Sequence, residues 1–267
     1  MQVPCGKCMA CRIQRSGEWK TRLLLESFYH TDNLFLTLTY SDEFIPIDYG
    51  LEKKSVQKFF KRLRKELSYR GIRIKHYTVG EYGDQTGRPH YHSIIFGWYP
   101  WDYRLHHMDD EKPRYSSDVI NRLWPYGHNI IGTVTPDSIE YVVGYVRKKL
   151  YGRMAEEVYG DRERPFQLSS QFLGVKYLED NVEKILRDRG IILKGKNHGL
   201  PRYFFRKLGL GDDFCKERYE EYLEKIKLYQ EERGINDLEL YDEVKGDRLQ
   251  RDRDLKSKER LYRGRKL

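Results

Sequence analysis

The stretch from Val79 to Gly97, V-G-E-Y-G-D-Q-T-G-R-P-H-Y-H-S-I-I-F-G, constrains the fold of this chain more than any other. Tyr91, Ile94, Ile95 and Phe96 make a β-rich run between Pro89 and Gly97, which reads as a strand. Ile74 to Tyr82 is a second strand-like run, and the intervening Gly83 to Arg88 is turn chemistry, so the two pair as an antiparallel hairpin. Side chains two apart on a strand share a face, so His90 and His92 project together. The hairpin returns Glu81 beside them. Two neutral imidazoles and one carboxylate form a mixed nitrogen and oxygen set with open positions, suited to Mg²⁺ or Mn²⁺. On its own an H-x-H pair is more often a surface or hydrogen-bonded pair, and a second element has to decide. Ile94 and Phe96 fall on the histidine face and Ile95 on the other, so both faces of the sheet need cover.

The remaining elements supply that cover. L-F-L-T-L-T-Y from Leu34 to Tyr40 alternates as a strand should. A helix is predicted from about Ser55 to Tyr69, where Val56, Phe59, Phe60, Leu63 and Leu67 form a core-facing stripe. Lys53, Lys54, Lys58, Lys61, Arg62, Arg64 and Lys65 surround the stripe; this is either a solvated face or one that tracks phosphates. Residues 98–128 are aromatic and turn-rich, with Trp98, Tyr99, Trp101, Tyr103 and Trp124 plugging a core edge or stacking on bases. Val119 to Leu123 reads as a short helix and Asn129 to Thr135 as a strand. The order is α+β: a central antiparallel sheet of about five strands with packed helices.

The deciding element is the helix from Ile139 to Tyr151, capped by Thr135 or Asp137. Tyr141 and Tyr145 are four apart and share a face, and Lys148 and Lys149 follow within a turn. Tyrosines so spaced usually pack; beside a metal site they become candidate chemistry. Upstream, Cys5, Cys8 and Cys11 in C-x2-C-x2-C precede a helix from about Arg12 to Tyr29. They read either as reduced structural thiols or as Zn²⁺ ligands completed by a distant group such as Cys215, His30 or His198. An iron–sulfur cluster is disfavoured, since no fourth cysteine lies nearby.

The formal charge of +9 favours a polyanionic partner. It is uneven: from Asp212 onward there are 15 Lys+Arg against 16 Asp+Glu, leaving 35 against 25 in residues 1–211 with the histidines. No apolar run approaches the roughly 18 residues of a membrane span, and the N-terminal residues lack a signal-peptide core. With 4 cysteines and no disulfide framework, a reducing cytoplasm is expected. There is no G-x-x-x-x-G-K-[ST] loop, so no ATP site is expected.

F-L-T-L-T (35–39), G-E-Y-G…R-P-H-Y-H (80–92) and Y-V-V-G-Y-V-R-K-K (141–149) resemble motifs I, II and III of the HUH rolling-circle replication initiators. With the leading P-C-G-K-C-M-A-C-R, they look most like the initiators of gokushovirus-type microviruses, small single-stranded-DNA phages. Such proteins usually carry a longer leader, so a trimmed or divergent member is expected. The resemblance implies an HUH endonuclease domain with an RRM-like palm over residues 1–152, a basic and aromatic extension over 153–211 and a charged helical tail over 212–267. It implies a nick-and-join enzyme of the host bacterial cytoplasm. Glu81, His90 and His92 would hold the metal, Tyr141 and Tyr145 would attack the single-stranded origin, and Lys148 or Lys149 would assist. A host helicase and DNA polymerase would be partners, and a membrane would not. The competing readings are a non-catalytic single-stranded nucleic-acid-binding protein and an HUH transposase or relaxase.

Overall fold

The computed structural model describes residues 5–264 except 84, 110, 149, 151 and 211, and from Asp212 onward part of the helical side chains also fall outside the described residues. In chain order the elements are α1 (Met9–Ser27), β1 (Asn33–Tyr40), α2 (Lys53–Ser68), β2 (Lys75–Tyr82), β3 (Pro89–Phe96), β4 (Arg104–Asp109) and β5 (Lys112–Ser116). Then follow α3 (Asp118–Leu123), β6 (Gly127–Thr133), α4 (Pro136–Lys148), α5 (Arg153–Tyr159) and β7 (Phe166–Ser169). After these come α6 (Val175–Asp180), α7 (Val182–Arg187), β8 (Ile192–Leu193), β9 (Lys196–Asn197), α8 (Arg202–Lys207), α9 (Asp212–Arg233) and α10 (Asp237–Gly264). Ile13–Gly199 forms one compact unit; the described residues of Met1–Arg12 and Leu200–Leu267 form another.

The α+β architecture is as expected, but the main sheet has seven strands in the order β4-β5-β6-β1-β3-β2-β7 rather than about five. All neighbours pair antiparallel. The additions come from segments without a two-residue period. In β4 and β5 the ladder shifts register between Leu105 and His107, so apolar and polar residues do not alternate. In β7 the strand is only four residues long. It closes on β2 because Gly80, opposite Phe166, has no side chain: a Cβ there would lie 2.9 Å from the Phe166 ring.

Strand parity builds a core on each face. Leu34, Leu36, Leu38 and Tyr40 of β1, with Tyr91 and Ile95 of β3, meet Val56, Phe59, Phe60, Leu63 and Leu67 of α2. On the other face Tyr77, Val79, Ile94 and Phe96 meet Leu23 of α1 and Ile139, Val142 and Val143 of α4. Each fully buried Leu or Phe contributes about 1.5–3 kcal/mol relative to exposure. Trp98 and Trp124 plug the α2 core, whereas Trp101 and Tyr103 are exposed, with the Arg70 guanidinium 4.0 Å over the Trp101 ring. Of the two caps expected for α4, Thr135 is the one used. Its hydroxyl accepts from the Ser138 amide at 3.1 Å, and the Ser138 hydroxyl accepts from the Thr135 amide at 2.8 Å.

Candidate active site

The site grows out of the register of three strands. Glu81 of β2 lies directly opposite His90 of β3, and His92 lies opposite both Val79 of β2 and Thr37 of β1. Cross-strand partners share a face, so Thr37, Glu81, His90 and His92 all project toward the side covered by α4. His92 is held at both ring nitrogens: Nδ1 pairs with the Thr37 hydroxyl at 3.0 Å and Nε2 with the Glu81 carboxylate at 3.0 Å. His90 donates from Nδ1 to the Arg88 carbonyl at 2.8 Å, which leaves Nε2 with its lone pair. Its ring lies nearly parallel to that of His92, with centroids 6.4 Å apart. Gly83 makes room for it, since a Cβ there would lie 3.1 Å from His90 Cε1.

α4 brings its tyrosines over this row. The Ser16 hydroxyl of α1 donates to the Val143 carbonyl at 3.0 Å, and Lys20 pairs with Glu140, fixing the helix on the sheet. The Tyr145 ring stacks on His92 with centroids 5.3 Å apart, and Tyr141 meets the same imidazole edge-on at 5.3 Å. The Tyr145 hydroxyl donates to the Tyr141 hydroxyl. Phe35 of β1 stacks on the other flank of His92 at 5.9 Å. One imidazole is therefore enclosed by both tyrosines and tied to the carboxylate.

Electrostatics distinguish the partners. Burial drives the Tyr145 phenol far above the ordinary tyrosine value, and the Glu81 carboxylate beside it pushes the same way. Burial also lowers His90 below the ordinary histidine value, which keeps its ring neutral and able to donate a lone pair. The donor set fits a hard divalent cation in part. Two ligands at about 2.1 Å and at right angles stand about 3 Å apart, which is the Glu81–His92 separation. A hydroxyl both donates and accepts, so Thr37 can keep Nδ1 partnered whichever ring nitrogen carries the proton. His90 stands on the same face but farther off. The ligand atoms that lie within 4.8 Å of one another as a group of three are the thiols of Cys5, Cys8 and Cys11, a group that could hold a metal ion.

Comparison with known proteins settles the kinship. The family of replication-associated proteins of the ORF2 type matches residues 33–150, which span β1 through α4. The chain is 35% identical over 228 residues to "Replication-associated protein ORF4" of Chlamydia phage 1, covering 81% of this chain and 57% of that protein. It is 34% identical to "Replication-associated protein VP4" of Bdellovibrio phage phiMH2K and 34% identical to "Replication-associated protein ORF2" of Spiroplasma virus 4. Those alignments cover 86% and 84% of this chain and 73% of each relative. The chain belongs to the microvirus-type family of phage replication-associated proteins. It spans little more than half, 57%, of the Chlamydia phage 1 relative. No solved structure matches.

Other residues of this replication-associated protein singled out from sequence are distributed as follows. The Lys148 ammonium lies 5.1 Å from the centre of the Tyr145 ring, while Lys149 lies outside the described residues. The basic residues of α2 sit on the face of the sheet opposite the tyrosines, because α2 packs its stripe on the Leu36 and Leu38 side. Cys5 is exposed, and amides of Cys8 and Lys7 pull its thiol down to about 7. Neither His30 nor His198 joins the thiols: His30 bonds instead to Glu26 at 2.8 Å, and the Cys215 side chain lies outside the described residues. Sequence reading passed over Thr37, Phe35 and Arg88, although the polar parity of Thr37 and Thr39 against the leucines marked that face of β1. Among the described residues no helix is long and apolar enough to cross a membrane.

Proposed function

We propose that this chain initiates phage DNA replication as an HUH-type nicking and joining enzyme acting on a single-stranded origin. One observation carries the reading: both tyrosines of α4 lie against His92, which is itself bonded to Glu81. A phenol oxygen attacks phosphorus, the bond from phosphorus to the 3′ oxygen breaks, and that oxygen leaves as a 3′-hydroxyl after taking up a proton. The product is a 5′-phosphotyrosine that conserves the phosphodiester, so a later attack by a 3′-hydroxyl rejoins the strand. The proton of Tyr145 has an acceptor in Tyr141, to which its hydroxyl already donates. Lys148 supports negative charge at the Tyr145 end, with Lys149 as the other candidate.

Mg²⁺ or Mn²⁺ held by Glu81, His90 and His92 would neutralise charge building on the scissile phosphate and ease loss of the phenolic proton. Every residue assigned here falls within residues 1–152, taken as the catalytic domain, with 153–211 and 212–267 as extension and tail. The free 3′-hydroxyl serves a host polymerase, and unwinding falls to a host helicase in the bacterial cytoplasm.

The test is incubation of the full chain with end-labelled single-stranded origin DNA and Mn²⁺. A covalent adduct that survives denaturation is expected, lost in the Tyr141→Phe/Tyr145→Phe double variant and in EDTA. Undiminished adduct in EDTA, or in the double variant, would overturn the reading. DNA that binds but never becomes covalently attached would favour a purely binding protein.

A further inference from the structure

The N-terminal thiols take no part in that chemistry, yet their arrangement is organised. Gly6 adopts φ +71°, a left-handed turn that glycine makes without strain. This turn folds the chain back so that the Cys8 amide donates to Cys5 Sγ at 3.2 Å. Cys8 and Cys11, three residues apart at the start of α1, lie on the same side of its first turn. The three sulfur atoms consequently lie within 4.8 Å of one another.

That spacing discriminates between metals. Tetrahedral Zn²⁺ with bonds near 2.3 Å holds its thiolates about 3.8 Å apart, so the three sulfurs need only a small contraction. Ligands to separate irons of a cluster stand farther apart than ligands to one ion, and each needs its own iron. An amide hydrogen bond to sulfur is also the kind of outer contact that steadies a thiolate ligand. Lys7, between two of the cysteines, offsets the charge of three thiolates around one dication.

We propose that Cys5, Cys8 and Cys11 together bind a single Zn²⁺ as thiolates, with the fourth tetrahedral position left to a ligand beyond these three. The site is structural and independent of the nicking centre: it fixes the turn that leads into α1.

Full-length protein purified without chelator should carry about one zinc per chain, the stoichiometry of a mononuclear site. Exchange to Co²⁺ should produce a thiolate-to-cobalt charge-transfer absorption, and titration of the thiols with a mercurial should release zinc in step. Cys8→Ser should weaken zinc binding beyond the roughly 10–100-fold that loss of an outer-shell contact costs. His90→Ala/His92→Ala should keep both the zinc and the cobalt spectrum, which separates failure here from failure of the nicking site. Zinc far below one equivalent without a cobalt–thiolate band would overturn the proposal. So would iron with acid-labile sulfide, or zinc undiminished in Cys8→Ser/Cys11→Ser. Should those variants not fold, mercurial-driven zinc release from the unaltered chain decides.

Discussion

At the scale of single residues, His92 is the pivot of the candidate site, and Thr37 is the residue that orients it. Outer-shell partners of a metal-binding histidine set its tautomer, and their loss costs roughly 10–100-fold in metal affinity or activity. Thr37→Val, which keeps the shape and removes the hydroxyl at 3.0 Å from Nδ1, should therefore lower adduct formation by about that factor. Thr37→Ser should restore it. Measuring the Mn²⁺ dependence of both variants checks the cause, since a hydroxyl that merely packs would leave the metal requirement unchanged. The tyrosines invite a second prediction. Because both rings meet the same imidazole at 5.3 Å, Tyr141→Phe and Tyr145→Phe should each retain some adduct. Neither should complete circle release, which needs a second nucleophile while the first remains attached. If either single variant supports full rounds of replication, its phenol is only a packing group. Tyr145 is the stronger candidate for first attack, with Lys148 over its ring and the Tyr141 oxygen as proton acceptor.

At the scale of elements, β2 is placed by a residue that lacks a side chain. Gly80 lies opposite Phe166, and a methyl group there would meet ring carbons at 2.9 Å and Leu51 at 3.3 Å. Forcing extra volume into such a contact costs about 1–3 kcal/mol. Gly80→Ala should lower thermal stability by that amount, and Phe166→Ala in the same chain should recover part of the loss. A double-mutant cycle on melting curves measures this, and strictly additive effects would show that β7 does not press on Gly80. Glu81 follows Gly80 in β2, so the same substitution should depress adduct formation even where the chain remains folded. The basic helix α2 carries a different expectation. It lies across the sheet from the tyrosines, so Lys58→Ala/Lys61→Ala should leave the yield of adduct at saturating DNA unchanged. A large fall in that yield would place the DNA on the α2 face instead.

For the whole molecule, buried titratable groups define a pH window of stability. His76, stacked on Phe60 at 3.6 Å, is held at about 3 by burial and then by the Arg64 charge, against an ordinary 6.5. A depressed histidine means that the folded state prefers the neutral ring. The stability it contributes is complete above pH 6.5 and is lost as the pH falls toward 3, by up to about 1.4 kcal/mol per pH unit. At the alkaline end Tyr40 is pushed up to about 12 by burial, and burial raises Tyr77 and Tyr91 as well. The folded state there holds protons that the unfolded chain releases near pH 10, so stability falls as the pH rises beyond about 10. Melting curves across pH should show a plateau between those limits. His76→Gln should flatten the acid limb, and an unchanged acid limb would assign it to carboxylates instead.

The sequence by itself determined the elements whose period is unbroken and whose chemistry is local. The alternation of β1, the stripe of α2, the strand–turn–strand of β2 and β3 and the tyrosine spacing of α4 all depend on neighbours along the chain. Parity alone placed Glu81, His90 and His92 on one face. Tertiary structure decided whatever depended on contacts between distant segments. β4 and β5 were not legible because a bulge cancels the two-residue period, and β7 because four residues carry too little pattern. That Thr37 rather than some other residue holds His92 follows from which strand pairs with β3, a matter of register across 55 residues of sequence separation. The placement of α2 away from the tyrosines has the same origin: helical periodicity names the face of a helix that is buried, but only the packing of both faces of the sheet decides on which side it is buried.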